Sequence, residues 1–233
     1  MKIFRKIRES LIKEGNFSKY LAYAVGEIFL VTIGILLAFQ VNSWNTQQKK
    51  NKAKMISYAN IKRQINNDKD VINGNIYYNN RYLKQYEFAT EIIEENDRNQ
   101  IDTLGYIALN LTKYSDVNMS SNIYQTLVNN GELRLLTNSE VIGRLQRLEE
   151  TYTYMNRMER IHLDVILSSV ATDLKMVMKL SDRSVQIPNK LYGYVFQNNF
   201  LLMIDMMNEK DRIYNQAIDE IDRITELIEK ELE

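Results

Sequence analysis

Residues 20–41 read YLAYAVGEIFLVTIGILLAFQV, and Glu27 is their only charge. In a helix, the 22 residues of this run rise about 33 Å, enough to cross a hydrocarbon core of about 30 Å. Tyr20 and Tyr23 stand at one end and Trp44 at the other, where amphipathic rings suit the two head-group interfaces. The sequence therefore predicts a transmembrane helix within residues 20–44. A basic segment, 1–19, precedes it, and a soluble domain, 45–233, follows. A buried core helix of a soluble protein passes the same hydropathy test. A cleaved signal peptide fits less well, because the apolar run is too long and no A-x-A site follows it.

Working outward, the flanks are basic on both sides. Lys2, Arg5, Lys6, Arg8, Lys13 and Lys19 precede the span, and Lys49, Lys50, Lys52 and Lys54 follow it. The positive-inside bias favours a cytoplasmic N-terminus, although a large C-terminal domain translocates largely regardless of its charge. Ile3, Phe4, Ile7, Leu11 and Ile12 recur at helical spacing among the basic residues. That pattern suits either a short helix lying on the membrane surface or a simple polar flank that sets topology. The formal net charge of zero hides this asymmetry, since residues 205–233 hold ten acids against Lys210, Arg212, Arg223 and Lys230. Net positive charge gathered around an apolar helix, with the remainder neutral to acidic, points to a lipid bilayer as partner, not to nucleic acid.

Within the span, Ala22 and Gly26 are four apart, as are Gly34 and Ala38, with Leu30 interrupting the row. Small residues let helix backbones approach closely, so this face is a candidate for association with a second copy or another membrane protein. Glu27 would lie about 10 Å inside the helix, where a carboxylate is costly. The functional readings are a proton-linked site or a bond to a partner helix. The simpler ones are that it reaches the head groups or is carried neutral.

Beyond the span, one proline and eight glycines leave few breakers in a chain rich in helix-forming residues. The fold class predicted is all-α: one N-terminal transmembrane helix followed by an elongated bundle with long, coiled-coil-like helices. Residues 45–97 form a stalk helix with Ile61, Ile65, Ile72, Ile76, Leu83 and Tyr86 on its apolar face and a weak point at Asn73-Gly74-Asn75. A shorter helix covers 103–114 with Asp102 as its cap, and another opens at Ser120 or Ser121 and stops at Gly131. Thr137-x-x-Glu140 has capping-box form and starts a long helix running to about Leu180. Ser181–Gln186 is a loop, Pro188 suits a first helical turn, and a final helix spans about 198–231. If that last helix lies beside the stalk, its acids can offset the basic stretch after the membrane.

The chemistry of the chain is sparse. The absence of cysteine excludes disulfides, zinc-thiolate sites and cysteine nucleophiles. The one histidine, His162, stands in Glu159-Arg160-Ile161-His162, a spacing that puts both side chains on one helical face. Di-iron carboxylate bundles use that spacing twice, and a second histidine does not exist here. His162 therefore reads as a surface or bundle-interface residue. No Gly-rich phosphate loop appears, and Glu94-Glu95 and Glu149-Glu150 diverge on a helix as solvated faces. Met203, Met206, Met207 and the many tyrosines read as core filling. The sequence offers no catalytic, cofactor-binding or metal-binding residues, and the chain reads as a non-enzyme with no cofactor.

Three quoted patterns carry a resemblance: Tyr23-Ala24-Val25-Gly26-Glu27-Ile28, Ile33-Gly34-Ile35 and Gln40-Val41-Asn42-x-Trp44-Asn45. Together they resemble the opening of a family of uncharacterised single-pass membrane proteins of Bacteroidota. A second stretch, Tyr124-Gln125-x-Leu127 and Gly131-Glu132-Leu133-x-Leu135-Leu136-x-Asn138, resembles a further feature of that family. The resemblance implies an inner-membrane protein with a periplasmic soluble domain. It implies no activity, and it draws attention to Gly26, Glu27, Trp44 and Asn45. The function expected is a membrane-anchored interaction or scaffold protein that self-associates. A periplasmic small-molecule sensor working through a partner, or an accessory subunit of an ion-driven complex using Glu27, are the alternatives.

Overall fold

The computed structural model describes residues 17–119 and 122–233, with residues 17, 19 and 20 described by backbone alone. The amphipathic pattern at Ile3–Ile12, the interface role of Tyr20 and a helix start at Ser120 or Ser121 lie outside what is described. The chain divides into two compact units, Met1–Lys54 and Met55–Glu233. Both draw on the first helix, α1 (Phe17–Glu94), which has 78 residues.

In the first unit, α1 is long and apolar enough to cross a membrane, with a mean hydropathy of 2.2 over its best 18-residue window and none of that window buried. From Leu21 (55 % exposed) to Phe39 (67 %), its large apolar side chains face outward. Thr32 Oγ1 donates to the Ile28 carbonyl at 2.8 Å, so this hydroxyl is satisfied by the helix itself.

The second unit is a helical bundle. After α1 come a 3-10 turn (Arg98–Gln100), α2 (Ile101–Asn110), α3 (Ile123–Asn129), a second 3-10 turn (Glu132–Leu135) and α4 (Ser139–Val165). A π-helical turn (Ile166–Val170) joins α4 to α5 (Ala171–Val177). A two-residue-per-strand hairpin, β1 (Met178–Lys179) and β2 (Ser184–Val185), leads to α6 (Pro188–Leu191) and α7 (Tyr194–Leu232).

Three long helices set the frame, and their ties fix its directions. Lys62 of α1 meets Glu229 of α7 at 2.6 Å, and Lys69 meets Asp222 at 2.5 Å, so the partner number falls by seven as the first rises by seven. That is an antiparallel register, and the acids of the last helix do lie against the bases of the first. The bases are Lys62 and Lys69, further along the helix than the lysines just after the span. Tyr58 OH accepts from the Asn138 amide at 3.3 Å, and Tyr152 OH donates to Asp68 at 3.0 Å, so α4 runs parallel to α1.

Local signals explain most element ends. Gly131 takes the left-handed conformation (φ 71°) after α3, as its position predicts. The cap of α4 is Asn138, not Thr137: its Oδ1 accepts from the amides of Glu140 (3.0 Å) and Val141 (3.2 Å). The predicted Asp102 cap also shifts, because Asp97 accepts from the Asn99 amide and opens the 3-10 turn that leads into α2. Asn73-Gly74-Asn75 does not break α1, whose apolar face is buried on both sides of it at Ile72 and Tyr86.

The long helix predicted to reach Leu180 ends at Val177, and the chain reverses in the hairpin instead. There Lys179 pairs with Asp182 at 2.7 Å, and Arg183 sits at φ 60°. The reversal seats Val185 against Gly105 of α2, where a Cβ on that glycine would lie 2.6 Å from the Val185 methyl. Gly193 caps α7, which begins four residues before its predicted start.

Candidate functional site

The bundle has two apolar cores. One gathers Ile61, Ile65 and Ile72 of α1, Leu145, Tyr152 and Met155 of α4, and Ile213, Ile221 and Ile228 of α7. The other gathers Tyr86 and Ile92 of α1, Leu104 and Leu111 of α2, Ile166 and Val170 of the π turn, and Phe196, Met203 and Met207 of α7. Each contributing segment passes from one core to the other through a buried polar residue. On α1 it is Asn79, on α4 it is Glu159 with His162, on α7 it is Lys210, and on the connection after α2 it is Ser115. These side chains form a polar layer between two greasy halves.

Lys210 is the hub. Only 1 % of it is exposed. Its ammonium donates to Ser115 Oγ at 2.5 Å, to Glu159 Oε2 at 2.8 Å and to His162 Nδ1 at 3.3 Å, which uses all three of its protons. Glu159 Oε1 takes the Tyr214 hydroxyl and the Ser115 hydroxyl, the latter at 3.2 Å. Asn79 donates to Asp211 at 3.0 Å and closes the layer on the α1 side.

Electrostatics follow from burial. Desolvation pushes the Glu159 carboxyl above its ordinary range and the Lys210 ammonium below its own, while their mutual attraction opposes both shifts. Burial and then the Lys210 charge push His162 down to about 3. The imidazole is therefore neutral at pH 7. Because Nδ1 accepts from Lys210, the ring proton sits on Nε2, and that atom is buried with no hydrogen-bond partner. The Tyr114 ring stands edge-on to it, 6.0 Å between centroids. The π turn begins four residues later, in the same continuous helical segment.

The sequence places Glu159 and His162 on one face and leaves His162 either on the surface or at the bundle interface; the structure brings the two together inside the bundle, the second of these positions. Sequence reasoning missed Lys210, counted there among the bases of an acidic segment. A signal existed: Met203, Met206, Lys210, Ile213 and Ala217 follow helical spacing, which puts a lysine in the middle of an apolar stripe. Ser115 carried no signal, since only the tertiary fold brings its connection over the layer.

The membrane-helix candidates belong to the first unit. Ala22, Gly26, Gly34 and Ala38 lie exposed on one row of α1, and a Cβ added at Gly26 or Gly34 would meet nothing within 4 Å. Glu27 and Tyr23 are half-buried, and Trp44 is 66 % exposed. Among the described residues, no group of three or more histidines or acids is placed to hold a metal ion.

Half-open clefts mark the surface of the bundle. One of about 340 Å³ is mostly apolar and lies around Met176, Tyr194 and Phe196. A second, of about 230 Å³, opens beside the polar layer between the 114–118 segment and α4. No family model, curated protein or solved structure matches this chain.

Proposed function

We propose that this chain is a non-enzymatic, membrane-anchored interaction or scaffold protein of the bacterial envelope that self-associates through its apolar helix. One observation carries the reading: from Leu21 to Trp44, large apolar side chains of α1 are exposed almost without a break. Apolar area left in water costs roughly 25 cal/mol per Å², and soluble monomers seldom expose a patch of this extent. A bilayer removes the cost. The Ala22, Gly26, Gly34 and Ala38 row then offers a second helix a close approach. The non-enzymatic part rests on burial, since Lys210, Glu159 and His162, the groups best suited to proton transfer, are locked to one another inside the bundle. The positive-inside bias and the family resemblance support an inner-membrane location with a cytoplasmic N-terminus and a periplasmic bundle.

Crosslinking in native membranes, followed by mass spectrometry of what co-purifies, tests this. The expected result is a chain that resists alkaline extraction and crosslinks to itself. Gly26→Leu, Gly34→Leu and Ala38→Leu should together abolish the crosslink, and Glu27→Gln should leave it unchanged. Stoichiometric recovery of a different membrane protein would replace the scaffold reading with that of an accessory subunit. Extraction at alkaline pH would remove the anchor reading altogether.

A further inference from the structure

The cleft beside the polar layer carries an exposed acid and an exposed base together in its lining. Its apolar walls are Tyr114, Val117 and Leu163, and Glu159 forms part of its lining. Around these stand Asp116, Asn118 and Arg160, all exposed. No side-chain hydrogen bond or ion pair holds any of these three within the described residues, although the Asp116 charge also acts on buried Lys210. The cleft near Arg147 is different: there Arg147 and Glu220 already face each other at 3.5 Å, and Glu220 also takes Arg144 at 3.0 Å. In the large apolar cleft, Asp173 is occupied by the Asn199 amide at 2.8 Å, which leaves Lys190 without an acid of its own in that lining.

We propose that the Tyr114–Arg160 cleft binds a small zwitterion carrying both an ammonium and a carboxylate, the size of a free α-amino acid. The Arg160 guanidinium presents the planar fork that suits a carboxylate. The Asp116 carboxylate is the complementary partner for an ammonium, and the Tyr114 ring adds a face that attracts cations. The Asn118 amide supplies a neutral donor and acceptor. A volume of about 230 Å³ falls below the roughly 300–1,000 Å³ of pockets for drug-sized ligands, which favours a small polar guest.

The site is also tied to the bundle interior. Asn156 clamps the segment by accepting the Met119 amide and donating to the Met119 carbonyl, both at 2.9 Å. Ser115, within the same segment, takes a proton of Lys210. A guest held between Asp116 and Arg160 therefore braces the connection that covers the polar layer, and its binding stabilises the fold by linkage.

Calorimetric titration of the full-length protein in detergent micelles, with each of the twenty protein α-amino acids at pH 7, tests this. At least one should bind saturably at one site per chain and raise the melting temperature. Asp116→Ala and Arg160→Ala should each weaken that binding about tenfold or more, the usual loss for a hydrogen bond to a charged group. Both side chains are exposed, so the helical circular-dichroism signal of the ligand-free variants should match the parent. The proposal fails if no amino acid binds, if neither substitution weakens binding, or if n-butylamine or acetate alone binds as tightly.

Discussion

Lys210 carries the highest stakes of any single residue. Its charge has left water and is balanced by Glu159 at 2.8 Å. Such a pair is poor evidence of net stability, yet removing one partner strands the other. Lys210→Met should therefore destabilise the protein by about 3–5 kcal/mol in urea unfolding of the detergent-solubilised chain. Adding Glu159→Gln keeps an acceptor for Tyr214 and removes the stranded charge. The double variant should recover at least about 1 kcal/mol relative to additivity, and strict additivity would show that the two charges are not coupled. His162 makes a separate prediction about acid. Its folded value, about 3, lies below the ordinary 6.5, so the unfolded chain binds the extra proton first as the pH falls. Stability attributable to this residue is intact above pH 6.5 and declines toward pH 3, by a total on the order of 4–5 kcal/mol. Thermal melts between pH 7 and pH 4 should fall less steeply for His162→Gln than for the parent. Parallel profiles would mean that His162 does not titrate as its burial dictates.

At the scale of elements, helix ends separate what local chemistry decides from what packing decides. At the α4 start the sequence predicts Thr137 as the cap through Thr137-x-x-Glu140, and the structure uses Asn138. Packing chose between them, since the Asn138 amide N–H reaches Tyr58 and its Nδ2 reaches Glu231 at 3.2 Å. Asn138→Ala should cost about 1 kcal/mol in thermal or urea unfolding, and Thr137→Ala much less. Equal effects would restore the capping-box reading. The predicted long helix to Leu180 failed for a related reason. Nothing in Met176–Leu180 forbids a helix, and it is the pairing of Met178 with Val185 and the seating of Val185 on the bare face of Gly105 that hold the reversed chain. Conversely, Gly74 is the weak point expected within the stalk helix, and the helix continues through it because burial on each side holds it.

Across the whole bundle, helix order and direction rest mainly on the two apolar cores, with charge as trim. Lys62–Glu229 and Lys69–Asp222 mark the antiparallel register of α1 and α7, but their side chains are about one-third to one-half exposed. Exposed pairs contribute about 0–1 kcal/mol and are screened by salt. Raising sodium chloride to about 1 M, where the screening length falls to roughly 3 Å, should lower the unfolding free energy by less than about 1 kcal/mol per pair. A larger loss would show that surface charge, not the cores, sets the register. The polar layer is the stronger candidate for specificity. Sliding α7 by one turn would place Lys210 against an apolar core and leave Glu159 unmatched, so the layer penalises wrong registers more than it stabilises the right one.

The all-α class, the single apolar span, the apolar faces of α1, α4 and α7 and the stop at Gly131 were all written in the sequence. These depend on spacing, hydropathy and backbone preferences that act within a few residues. The Glu159–His162 pair was visible as a shared face, with surface and bundle interface left open, and packing decided for the interior. Tertiary structure alone decided the parallel pairing of α1 with α4, the hairpin at Met178–Val185, and the meeting of Ser115, Glu159, His162, Lys210 and Tyr214. Those depend on contacts between residues tens of positions apart. A lysine in a helical pattern looks the same in sequence whether it ends in water or against a buried glutamate, and the difference lies in which helix packs over it.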